Sequence, residues 1–181
     1  LAHLHRQAPY HRVIELEAQV VAFLLVLGPG ADYDSVNYQW FARRQDRFLY
    51  IDRVVVAAAR QGASLGVALY DDLIAFAQQT GTSTITCEFD VVPPNERSRR
   101  FHARFGFREV GSQWVADGKK QVSLQVLDLA RVPLDRGQAL RVGTLPVGLL
   151  DPVEQLPQRR HHRGPGGHGG HELRGPRLRA V

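Results

Sequence analysis

Three short segments hold the residues whose types and spacing could do chemistry. The first runs Val54-Val55-Val56-Ala57-Ala58-Ala59-Arg60-Gln61-Gly62-Ala63-Ser64-Leu65-Gly66. A β-branched run ends there, the chain turns, and small residues open a helix. Amides at a helix start have no intrahelical partner, and the dipole favours an anion at that end. Each such contact is worth only about 0.3–1 kcal/mol when exposed, so several must converge on one pyrophosphate. Read by spacing alone, a packing turn explains the segment equally well. The second segment is Asn95-x-x-Ser98-x-x-Phe101-His102-x-x-Phe105-Gly106-Phe107. His102 is expected at the edge of a helix, beside its apolar face, where an imidazole can move a proton near neutral pH. A structural histidine is the alternative. The third is Cys87-Glu88. Glu88 is an acidic residue among β-formers, and a strand-edge carboxylate facing water is the plain reading of it. Cys87 reads as a small buried hydrophobe rather than a nucleophile.

Alternating strand and helix signals position these segments. Residues 12–17 and 20–27 are β-branched runs with a polar break between them, the pattern of an antiparallel hairpin. Gly28-Pro29-Gly30 ends the second, and residues 31–46 read as a polar and aromatic loop. A strand is expected over 48–56, central in the sheet because its end is β-branched. From Ser64 the apolar period becomes helical through Leu65, Ala68, Leu69, Leu73, Phe76 and Ala77, with Gly81 as the stop. A strand over 84–89, a helix over 96–105 and a hairpin of 107–115 with 121–129 around Asp117-Gly118 complete the body. The expected fold class is α/β, in the order β-β-β-α-β-α-β-β, with a mixed sheet rather than a doubly wound one.

Composition divides the chain into a body, 1–130, and a tail, 131–181. The net charge of +5 lies wholly in the tail, with nine arginines against four acidic residues, whereas the body balances 14 against 14. Nine of the 17 glycines and six of the ten prolines also lie in the tail. Such a segment buries too little to offset chain entropy and is expected to be disordered or an out-of-frame read. A tail for an anionic partner is the alternative, but the absence of aromatics there argues against nucleic acid. Four tail histidines show no ligand spacing, so no metal is expected. The longest apolar run, 20–27, is too short for a membrane span. One cysteine and no visible signal peptide point to the cytoplasm. The chain begins at Leu1 and has no methionine, so a missing N-terminus is expected.

Taken jointly, the three segments resemble the GNAT superfamily of N-acetyltransferases over about 12–129. Gln61-x-x-Ser64-x-Gly66 matches the family turn Gln/Arg-x-x-Gly-x-Gly/Ala, with Ser64 where a glycine is usual. Asn95, His102 and Gly106-Phe107 match the later pattern, with His102 at the family's tyrosine. Bacterial members are also similar at Gly30-Ala31-Asp32-Tyr33-Asp34-Ser35, Asn37-Tyr38-x-Trp40-Phe41, Phe48-Leu49-Tyr50-Ile51-Asp52-Arg53 and Gly118-Lys119-Lys120-x-Val122-Ser123-Leu124. The resemblance implies a GNAT-like, mainly antiparallel sheet whose usual first strand and two helices are missing here.

It also implies direct attack of an amine on acetyl-CoA with no acyl-enzyme. Val54, Val55 and Val56 would pair with the pantetheine arm, Gln61, Gly62, Ala63, Ser64, Leu65 and Gly66 would hold the pyrophosphate, and Asn95 would meet the arm near the second helix. Glu88 takes the general-base position and His102 the general-acid one. Tyr33, Asp34, Asn37, Tyr38, Trp40, Tyr50 and Asp52 would line the acceptor side, where carboxylates beside aromatics suit a cationic amine. A lysine-like amine costs roughly 4–5 kcal/mol to deprotonate at neutral pH, an α-amine about 1. The expected partner is a small-molecule or peptide amine, with a homodimer left open. A non-catalytic acyl-CoA-binding or protein-interaction module of the same fold is the alternative.

Overall fold

The computed structural model describes residues 2–131 and, as a separate strand, 178–180. Its elements are α1 (Ala2–Gln7), β1 (Tyr10–Leu16), β2 (Gln19–Leu27), α2 (Val36–Ala42), β3 (Leu49–Ala57), α3 (Leu65–Gln79), β4 (Thr84–Val92), α4 (Glu96–Phe105), β5 (Arg108–Val115), β6 (Lys120–Asp128) and β7 (Leu178–Ala180). The main sheet has the order β1-β2-β3-β4-β6-β5. Among the described strands only β3 and β4 pair in parallel, and α3 supplies the crossover that a parallel pair requires. The mixed, mainly antiparallel sheet expected from the sequence is what forms.

Two apolar layers sandwich this sheet. On one face α3 lays Leu65, Leu69, Leu73 and Ala77 onto Leu24, Val26, Ile51 and Val54. On the other, Tyr38 and Phe41 of α2 pack with Phe48, Tyr50, Leu124 and Val126. That second layer corrects the reading of 31–46 as a loop. Seven residues are too few to make a stable helix alone. The Ser35 hydroxyl caps it, accepting from the Tyr38 amide at 3.4 Å, and the aromatic burial does the rest. Helix α1 likewise had no expectation in the sequence, and β4 runs three residues past Phe89, to Val92. Apart from β7, the tail lies outside the described residues.

The sheet is interrupted where the chemistry-bearing residues gather. Along β2 and β3, Leu25 pairs with Arg53 but Val26 pairs with Ile51, so Asp52 is the extra residue of a β-bulge. On the other side of β3, pairing with β4 stops at Tyr50–Thr86, although both strands continue. The strands therefore part just as the bulge re-aims Asp52. Beyond the parting, β7 pairs antiparallel with β3, joining Val55 to Ala180, Val56 to Arg179 and Ala57 to Leu178. Since β2 holds the opposite edge of the same residues, β7 lies on the edge that β4 leaves.

Candidate active site

One end of the parting is a carboxylate cluster. Glu88, on β4, has its side chain turned inward: Oε1 accepts from the Tyr50 hydroxyl and from Asn37 Nδ2, both at 3.0 Å. Asn37 Oδ1 in turn accepts from Gln113 Nε2 at 2.6 Å. Tyr33 donates to Asp52 Oδ1 at 2.6 Å. One oxygen of each acid, Glu88 Oε2 and Asp52 Oδ2, is buried with no hydrogen-bond partner. The Asp52 side chain is 3% exposed, and its nearest cation is Arg53 at 3.7 Å. An unpartnered buried carboxylate oxygen is costly, which marks this as a place built to receive a donor.

Burial shapes the electrostatics here. It pushes the Glu88 carboxyl up to about 7, while the Tyr50 and Asn37 hydrogen bonds restrain the rise and the charges of Asp52 and Asp90 add to it. A carboxyl that titrates at neutral pH is matched to proton transfer. Burial, followed by the neighbouring carboxylates, raises Tyr50 and Tyr33 so that both stay protonated as donors.

The other end is an anion cleft of about 190 Å3 lined by Val56, Arg60, Gln61, Gly62, Ser64, Leu65, Gly66, Val67, Arg97, Phe101 and Arg104. Helix α3 starts here, so its first-turn amides face the cleft without intrahelical partners. Ser64 precedes them in a left-handed conformation, φ 59°, and its hydroxyl makes no cap. This is the conformation that makes glycine usual at such a position. Gly66 has a different reason: a Cβ there would meet the Phe101 ring at 3.4 Å, so its space is filled by packing rather than kept for a ligand. Gly62, φ 88°, has nothing within 4 Å of a notional Cβ. Arg97 Nη1 donates to Gln61 Oε1 across the cleft mouth. Helix-start amides, an open small-residue floor and three arginines fit a pyrophosphate. The arginines were missed in the sequence, although Arg97 and Arg104 lie seven apart, on one helical face.

Not every expected residue joins these two ends. Tyr38 is 1% exposed, donates to the Gly28 carbonyl at 2.8 Å and accepts from the Ala31 amide at 2.9 Å. It packs in the apolar layer beneath α2 rather than lining the carboxylate cluster. Asp34 is exposed, and Trp40 lies over Gly111 on β5, where a Cβ would come within 2.9 Å of its ring. Asn95 Oδ1 caps α4 by accepting from the Ser98 amide at 3.0 Å.

His102 corrects the expected edge position. It is 3% exposed, stacked on Phe89 at 5.5 Å and set edge-on to Phe107 and Tyr70. Nδ1 donates to the Ser98 carbonyl at 2.8 Å, which leaves Nε2 to accept from the Tyr70 hydroxyl at 2.9 Å. Burial lowers its pKa, so the ring is neutral and both nitrogens are engaged. Phe107, in the turn between α4 and β5, sets its ring edge-on against His102 on the inward side of α4. Cys87 is 2% exposed, and burial pushes its thiol up, away from nucleophilic use. Among the described residues no group of His, Cys, Asp or Glu is placed to hold a metal. No helix among them is long and apolar enough to cross a membrane.

The sequence model of the acetyltransferase (GNAT) family matches residues 1–107. This chain belongs to the GNAT acetyltransferase family. The fold is similar to that of a putative GNAT acetyltransferase from Desulfovibrio desulfuricans, at 16% identity and TM-score 0.53 over 66% of this chain and 68% of that one. It is also similar to an IAA acetyltransferase from Bacillus cereus, at 13% identity and TM-score 0.52 over 70% of this chain and 81% of the other. Against a ribosomal-protein alanine N-acetyltransferase from Escherichia coli the TM-score is 0.48 at 17% identity, and the alignment covers 64% of this GNAT chain and 65% of that one. No curated protein matches the sequence.

Proposed function

We propose that this GNAT protein transfers an acetyl group from acetyl-CoA to a primary amine by direct attack, without an acyl-enzyme. The observation that carries the reading is the parting of β3 from β4, with an anion cleft at one end and the unpartnered Glu88 Oε2 at the other. Acetyl-CoA, when bound, supplies an activated thioester. Gln61 to Gly66, with Arg60 and Arg97, hold its pyrophosphate, and backbone groups of Val54 to Val56 align the pantetheine arm. Asn95, its Oδ1 engaged in the cap, offers its NH2 to the same arm. Asp52 Oδ2 and Glu88 Oε2 receive the acceptor as an ammonium, beside Tyr33 and Tyr50. Glu88 then takes the proton that must leave before the nitrogen can attack.

His102 carries its one proton on Nδ1, so it can give it to the departing thiolate only by surrendering its bond to the Ser98 carbonyl. A His102→Ala variant that turns over more slowly at unchanged acetyl-CoA KM supports that role. A variant that loses stability but keeps its turnover assigns the ring to packing.

The second reading is a GNAT-fold module that binds an acyl-CoA without turnover. The observation favouring it is β7, which lies on the β3 edge that the arm would use. Titration with acetyl-CoA, followed by thiol release with a diamine, a polyamine, a lysine peptide and a peptide bearing only a free N-terminus, separates the two. Release with any of them supports transfer; binding without release from all four supports the module.

A further inference from the structure

We propose that Gln113 is a positioning residue for this site: its hydrogen bond to Asn37 fixes which end of that amide meets Glu88, and so holds Glu88 ready to accept a proton. The inference rests on the reading of Glu88 as the base.

An asparagine amide has an acceptor end and a donor end. With Gln113 Nε2 donating to Oδ1 at 2.6 Å, Asn37 must turn its NH2 to Glu88, at 3.0 Å from Oε1. If the amide turned over, its oxygen would oppose the carboxylate, an arrangement tolerable only when Glu88 carries a proton. Gln113 thus selects the ionised form through a residue that it never bypasses. The contact spans 76 positions of sequence and joins three elements, α2, β4 and β5.

The registry makes this a two-point seat. Gly111 and Gln113 are two apart on β5 and share the face of the sheet that carries Leu124 and Val122. Trp40 and Asn37 are three apart on α2 and therefore share a helix side. Trp40 rests on Gly111 while Asn37 meets Gln113. Strand β5 closes one side of the sheet and adds no carboxylate to the Glu88 contacts, so its part at this point is orientation.

The charged and titratable groups around Glu88 are few. Tyr50 and Asp52 come from β3, and Asp90 from β4 itself, with Asp90 tied to Lys120 of β6 at 3.0 Å. Tyr70 of α3 and Cys87 lie on the opposite face, both kept neutral by burial. None of these is moved by a change at Gln113, so a shift at Glu88 reports the amide.

The test is a carbon-13 NMR titration of the Glu88 carboxyl in the chain alone, comparing wild type with Gln113→Met, which keeps length without a donor. The expected result is a midpoint raised by about one pH unit, the tenfold change of one hydrogen bond to a charged group. Gln113→Glu should raise it as well, and serves if the methionine variant does not fold. An unmoved midpoint in a folded variant overturns the proposal. In turnover, the acid limb of kcat/KM should rise with the midpoint while the acetyl-CoA KM holds. Equal loss at every pH would make Gln113 merely structural and overturn it too. If Glu88→Gln leaves turnover unchanged while the midpoint still shifts, it is the base reading that has failed.

Discussion

Glu88 carries two opposing consequences in one side chain. Burial pushes its carboxyl from the ordinary 4.5 up to about 7 in the folded state. The folded state therefore binds the extra proton between those limits, and stability falls as pH rises from about 4.5 through 7, the reverse of a salt-bridged carboxylate. Replacing it with glutamine removes the charge that burial penalises. Glu88→Gln should raise Tm at pH 8 more than at pH 5, and should lower turnover by about a hundredfold or more, as loss of a general base does. Equal Tm changes at the two pH values would show that the carboxyl is not desolvated as described. For the wild type, kcat/KM should fall below pH 7 because only the ionised form accepts a proton. Ser64 makes a separate case. Its left-handed φ of 59° costs a serine about 1 kcal/mol that glycine avoids, partly offset by glycine's looser unfolded chain. Ser64→Gly should raise Tm by a few degrees without weakening acetyl-CoA binding, checked by thermal melts with and without the ligand.

At the scale of elements, the sequence was legible wherever a period or a punctuating residue acts locally. The stripe from Leu65 to Ala77 and the Asp117-Gly118 turn depend on neighbours within a few positions, and both form as expected; the Asn95 cap is equally local but was not read from the sequence. Helix α2 was not legible, because three aromatics in seven residues show no clean period and gain order only from the sheet beneath. The same limit hid the bulge at Asp52, which exists only in the register between two strands, and the Gln113–Asn37 contact. Glu88 and the turn at Gln61–Gly66 were found through likeness, not spacing. His102 shows the cost of that route: position in a motif says nothing about which way a helix turns a ring. Trp40 on Gly111 gives the element-scale prediction. Gly111→Ala brings a Cβ within 2.9 Å of the indole, so α2 must shift. The expected loss is about 1–3 kcal/mol in chemical denaturation, together with lower turnover as Asn37 leaves Glu88. A neutral result would mean that α2 moves freely over β5.

At the scale of the whole molecule, the body is one sheet with a helical layer on each face and an opening between its two parallel strands. The opening brings together residues from β3, β4, α2 and the start of α3, which is why no single stretch of sequence reveals it. Strand β7 returns from the far end of the chain to the Val55–Ala57 edge. A segment tethered to its own target acts at a local concentration that stays the same however dilute the protein becomes. On the proposed reading, acetyl-CoA must displace β7 from that edge, a competition that dilution does not relieve. Deleting 178–181 should lower the acetyl-CoA KM and leave kcat alone, and the free peptide added back should restore the higher value. On that reading, occupancy of one strand edge sets sensitivity to the cosubstrate, through residues 178–180 rather than through those that line the cleft.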